Sequence, residues 1–439
     1  HAAYGIYAYG DTVTVTNNGD VTAMSDNAAP VFSTLGVATG VYSYGANGAT
    51  VTNSATGTIH ADGYYGATGV NVVVANPGAT ATVNNAGMIT AYGYLGVTTG
   101  ISTAVTGTGG TSVVTNSGDI SVNSHNKYNA YGVNAFADGD STVTNAAGAS
   151  IYAYSYGSAY GVLSTSFNGH SVITNAGDID VKSMGALQKY SYGALAFGVN
   201  GDASVTNTGS ISVHSKYYST GIMASGLTGA TVTNGATGSV VADGWKATGI
   251  YAVSANGDVS VGNAGDILAT YTYAPAAAKS AYGVKAVSTN GDVLVTNAAT
   301  GNIDATLLYG GLAVGAFGYS GAGSATVYNY GHIGASTVDT LATPASAVGA
   351  AAFTGGGDGA NVGNAVSGDI TATSVYGNAF GARANASGGG NATVQNFGDI
   401  SATSTYATAI GALSQSALAD AVVINAGGLN ATGMVSYGA

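Results

Sequence analysis

One phrase, close to Thr-Val-Thr-Asn-x-Gly-Asp-Ile, recurs along the whole chain and constrains its fold more than any other feature. One Asn anchors each copy: Asn17, Asn53, Asn85, Asn116, Asn145, Asn175, Asn207, Asn234, Asn263, Asn297, Asn329, Asn364, Asn396 and Asn425. The spacings run from 27 to 36 residues and average about 31, inside the range of solenoid repeats. Two residues before each anchor stands Val or Ile, as at Val15, Val114 and Ile173. After a Gly-containing turn comes Val, Ile or Leu, as at Val21, Ile120 and Leu429, and two residues later Ala or Val. A third phrase, Gly-[Ala/Val/Ile]-x-small, precedes each Asn by 12 to 16 positions, as in Gly132-Val133-Asn134-Ala135.

Period-two alternation in each phrase marks a strand, so each copy holds three short strands. None can bury its apolar side alone; stacked copies place Val on Val and Ile on Ile and make one narrow core. The expected fold is a right-handed, three-faced parallel β-helix of about 14 coils of about 31 residues, with the hand set by the crossover rule. The expected organisation is a single continuous β-solenoid over 1–439. Composition agrees: all twenty acidic residues are Asp, so the strong helix former Glu is absent, and only 6% of residues are charged. The 71 Gly follow no Gly-X-Y period, which excludes collagen.

A side-chain amide repeated at one turn can donate and accept between coils, so the Asn series is expected to form a structural ladder, with Asn tolerating αL there. Gly on the same turn is expected to supply positive φ. The inward Ala column, including Ala23, Ala61, Ala153 and Ala431, keeps the interior too narrow for a large side chain.

A net charge of −12 argues against nucleic acid and anionic membrane surfaces, and no apolar run is long enough for a spanning helix. The lack of Cys removes disulfide and thiolate chemistry. Asp20, Asp119, Asp178, Asp266, Asp369 and Asp399 follow the turn Gly and read as turn-forming, solvating residues rather than a Ca²⁺ set. Arg383, the only Arg, has no distinctive acidic partner, and His1, His60, His125, His170, His214 and His332 are scattered. The reading is therefore a chain that is not an enzyme, with no catalytic residues, no metal and no cofactor.

The copies differ most in the connector after the third strand, which carries most of the Lys and many aromatic residues, among them Tyr64, Tyr65, Tyr92, Tyr94, Tyr154, Tyr156, Tyr192, Tyr271 and Tyr273. Variable loops on one flank are where a solenoid carries specificity. The strongest single patch joins Lys182, Lys189, Tyr190, Tyr217, Tyr218, Trp245 and Lys246, as contacts for a glycan, an anionic polymer or a neighbouring rod.

The phrases VTNNGDVTA, VVTNSGDISV, VITNAGDIDV and TVQNFGDISAT, with the YGVxA units between them, resemble the repeats of autotransporter passenger regions and related large bacterial surface adhesins. The resemblance covers essentially the whole chain and implies a β-helix at the bacterial outer surface with a role in adhesion, aggregation or biofilm. The repeat phase also closes across the ends, since Met434–Ala439 followed by His1–Ile6 reads as a normal connector and strand. This predicts either a longer array or end-to-end self-association into filaments. The functional expectation is an extracellular structural or adhesive shaft; the alternative is a β-helix polysaccharide lyase or hydrolase, or a tailspike-like glycan-binding protein.

Overall fold

The computed structural model describes residues 2–25, 36–185, 189–271, 279–339 and 343–438; His1, Tyr273 and Ala439 lie outside them. The chain divides into two compact units, His1–Tyr217 and Tyr218–Ala439. Each is a parallel β-solenoid of about 31 residues per coil, and no helix occurs among the described residues.

A coil of the first unit shows the plan. Its strands are Ala130–Ala137, Ser141–Asn145 and Ser150–Ser155. The first pairs in parallel with Thr98–Val105 on one side and Ala159–Ser166 on the other. The other two pair with their counterparts in the same two coils. The register puts like on like: Val114, Val143 and Ile173 form one column and Ile120, Ile151 and Ile179 another. All are buried, each contributing about 1.5 to 3 kcal/mol of transfer free energy. The second unit repeats the scheme with Ser280–Ser288, Val293–Asn297 and Asn302–Leu307, where Ile267, Ile303 and Ile333 align.

The ladder Asn lie inside this frame. In the first unit Asn145 Nδ2 donates to Asn175 Oδ1 at 2.8 Å while its own Oδ1 accepts from Asn116 at 2.8 Å. The series runs from Asn17 to Asn207, and a second runs from Asn234 to Asn425 in the other unit. The αL expectation fails, because each ladder Asn closes an extended strand. The turn glycines differ from expectation too. Gly148 has φ +79°, but Gly118 has no positive φ. Its Cβ would collide with the carbonyl oxygens of Gly87 and Ala86 on the coil beneath, so close approach excludes a side chain there.

The glycines of the first strand are small for the same reason. A Cβ on Gly132 would run into Ile151 Cγ2 from the third strand of its own coil and into the Gly161 carbonyl of the next. A buried Ser closes many third strands, two residues after the inward Ala or Val: Ser183 Oγ donates to the Gly157 carbonyl at 2.6 Å and Ser404 Oγ to that of Gly377 at 2.8 Å. These hydroxyls tie each turn to the coil before it.

Candidate functional site

In the first unit the outward positions of the third strands line up as Met24, Asp62, Tyr92, Asn123, Tyr154, Lys182 and His214. Tyr92 and Tyr154 therefore belong to strands, Met88–Gly93 and Ser150–Ser155, rather than to connectors. The turns just after those strands add Tyr64, Tyr65, Tyr94, His125 and Tyr156 alongside. Stacking the coils converts this into an aromatic band. Tyr64 stacks on Tyr94 with centroids 5.5 Å apart, and Tyr65 meets Tyr64 edge-on at 5.1 Å. His125 bridges onward, 5.0 Å from Tyr92 and 6.4 Å from Tyr156.

An open cleft of about 340 Å³ is set into this band, lined by Met24, Ser25, Asp62, Tyr64, Tyr92 and Tyr94. Its walls are chiefly aromatic with one carboxylate, the mix of apolar faces and few polar groups that suits a small ligand or a polymer segment. Burial, and after it the Asp62 carboxylate, lifts the Tyr92 phenol above its ordinary value. Tyr154 is pushed up to about 12, by burial first and then by its hydrogen bond with Tyr156. Both shifts favour the neutral phenol, so Tyr92 and Tyr154 offer rings and hydroxyls rather than phenolate charge.

The residues singled out from sequence separate into different settings. In the first unit Lys182 is held by Asp180, Nζ to Oδ2 2.9 Å, and lies 5.4 Å from the Tyr152 ring centroid. That hydrogen bond holds its pKa above the usual lysine value. Lys189 is half-buried and Tyr190, at the start of Tyr190–Gly198, is exposed on another sheet. Tyr217 lies 5.9 Å from the Lys216 ammonium. In the second unit Lys246 sits over Tyr218 at 5.3 Å, whereas Trp245 packs against a buried cluster that includes Ala242 and Ala247. Tyr271 is fully buried in that cluster.

Other polar groups make contacts between coils. Asp119 Oδ1 accepts from Ser150 Oγ at 2.6 Å, and His332 reaches Asp369 and Asp304. The buried Asp339 carboxylate accepts backbone N–H bonds from Ala345, Val375 and Tyr376 at 2.8 to 3.2 Å. Among the described residues no three His or Asp side chains converge as a metal-ligand set.

The site that sequence reading missed is the cleft itself. Its residues come from three coils, and the phrases reveal the coil period without revealing which connector rings end up in contact.

No curated protein and no solved structure matches the chain. The expectation that the chain is not an enzyme is withdrawn, because the family found is named for a polysaccharide-cleaving fold: residues 33–243, which carry all of the cleft except Met24 and Ser25, are similar to the family described as the BigA third pectate lyase-like domain.

Proposed function

We propose that the protein is a β-solenoid of the bacterial cell surface that engages carbohydrate, with the Tyr64, Tyr92 and Tyr94 cleft as its contact site. The single observation that carries this reading is the aromatic cleft, built within coils that resemble a pectate lyase-like domain. Tyr rings offer flat apolar faces to the C–H faces of sugar rings while their hydroxyls hydrogen-bond at the edge. The repetitive coils supply stiffness, as suits a shaft or adhesin that holds such a surface away from the cell, and the resemblance of the repeats to autotransporter passengers points the same way. End-to-end association through the terminal coils belongs to this reading, and a concentration series in sedimentation velocity tests it.

The test is titration of the full chain against a panel of soluble polysaccharides, with wild type compared to Tyr64→Ala and Tyr94→Ala. Binding by wild type that the two substitutions weaken supports the reading, and a panel with no binder overturns it.

A second reading, a polysaccharide lyase or hydrolase, is favoured by the family description. Asp62 and Tyr92, neighbours in the register column, are the acid–base groups that the cleft offers it. New reducing ends or unsaturated products from a bound polysaccharide, lost in Asp62→Asn, would establish it.

A further inference from the structure

The second unit carries an apolar cluster outside its coils. On the outward face of its first strands, Val314, Val348 and Ala351 are buried, although these positions point away from the solenoid interior. Rings from neighbouring coils cover them, chiefly Tyr282, Phe317, Phe353 and Phe380. The rings run across successive coils: Tyr282 to Phe317 at 6.2 Å, edge-on, and Phe317 to Phe353 at 5.5 Å, tilted.

A cation stands at each border. Lys285 Nζ lies 5.2 Å from the centroids of both Tyr251 and Tyr282. Arg383 lies 5.0 Å from Phe353 and 5.6 Å from Phe380. Neither makes a salt bridge with a described residue. The Arg383 Nε is buried without a hydrogen-bond partner, and its Nη2 makes only a long 3.4 Å contact to Gln415. Burial lowers the pKa of both, and at Lys285 the neighbouring Lys246 ammonium lowers it further. Lys285, Phe317, Ala351 and Arg383 occupy one register column, so three coil spacings, about 14 Å, separate the backbone positions that carry the two charges.

In a chain of net charge −12, cations held on aromatic rings and left without carboxylates mark a place prepared for an outside anion. We propose that this strip binds an anionic polysaccharide, its acid groups meeting Lys285 and Arg383 and its sugar rings lying on the aromatic cluster between them. The spacing suits a chain that bears an acid group every residue or every few residues. Nucleic acid fits poorly, because the rings are edge-on or tilted and offer no run of parallel platforms for bases, and the cations are too few for a phosphate backbone. The inference rests on the carbohydrate reading above but uses a different surface, outside residues 33–243.

The test is affinity measurement on the full chain with a polyuronate, dextran sulfate, neutral dextran, poly-aspartate and a single-stranded oligonucleotide. The expected result is binding of the polyuronate or of the sulfated chain, the better of the two identifying the acid group. That binding weakens as salt rises, and Lys285→Gln or Arg383→Gln lowers it roughly tenfold. The loss is also read in a Tyr64→Ala, Tyr94→Ala background, which disables the cleft, and there it persists, so failure here and failure of the cleft reading are separable. Circular dichroism melting confirms that the variants fold, and Lys285→Arg, which keeps the charge, should retain binding. Equal binding by neutral dextran, preference for poly-aspartate or the oligonucleotide, or affinity untouched by both substitutions would overturn the proposal.

Discussion

His332 Nδ1 lies 2.9 Å from Asp369 Oδ2 on the following coil, and its Nε2 lies 3.4 Å from Asp304 Oδ1 on the preceding one. One imidazole thus spans three coils of the second unit, leaning over Gly334, where a Cβ would crowd both Asp304 Oδ1 and His332 Nε2.

The two carboxylates raise the His332 pKa, with the Asp304 hydrogen bond the largest cause and burial opposing it. The folded state therefore favours the imidazolium. Its stabilisation is complete below the unfolded value near 6.5 and is lost as pH rises through the higher folded value. Asp304 and Asp369 face the ring directly, and Asn302 neighbours it in the register column. The groups are more than a third exposed, so solvent screening limits the effect to about 1 kcal/mol or less. Wild type should lose a little stability as pH rises above roughly 6.5, and His332→Gln should flatten that slope in urea melts.

Asn145 is buried and bonded on both sides by its neighbours in the ladder. Asn145→Ala should cost about 1 to 3 kcal/mol, because Asn175 loses a donor and Asn116 loses an acceptor inside the protein. Asn145→Asp should be at least as damaging, since a carboxylate cannot donate to Asn175 Oδ1. Denaturant unfolding measures both.

Two glycines separate space from backbone freedom. Gly132→Ala pushes a methyl into Ile151 and the Gly161 carbonyl and should destabilise by about 1 to 3 kcal/mol. Gly262, in Val259–Asn263, has open space around its Cβ position and no positive φ. Gly262→Ala should be neutral or stabilising by up to about 1 kcal/mol. Thermal melts of the pair give the sign.

Sequence period alone reveals the three strands of a coil, because inward residues recur every second position and the same phrase returns every coil. It misreads the glycines, since carbonyls pressing from the coil beneath Gly118 leave no trace in the local sequence. It misses the buried serines for the opposite reason. The Ser two places after Ala153 or Val181 looks like an ordinary polar strand end until the turn folds over it.

The sites were less legible still. Tyr64 and Tyr94 were visible as connector aromatics, but their stacking depends on connector lengths that vary from coil to coil. Lys285 and Arg383 lie far apart in sequence and come onto one column only through the register of four coils. A catalytic site on such a fold would be equally hard to see in the sequence. A groove on a solenoid takes single residues from successive coils, so no compact motif need appear in the chain.

Carbohydrate engagement by the cleft is tested most directly by hydrogen–deuterium exchange on the full chain with and without a polysaccharide that it binds. The account predicts slowed exchange at the backbone of 62–65 and 92–95, the segments carrying Asp62, Tyr64, Tyr92 and Tyr94. Unchanged exchange across both segments at saturating polysaccharide would contradict it.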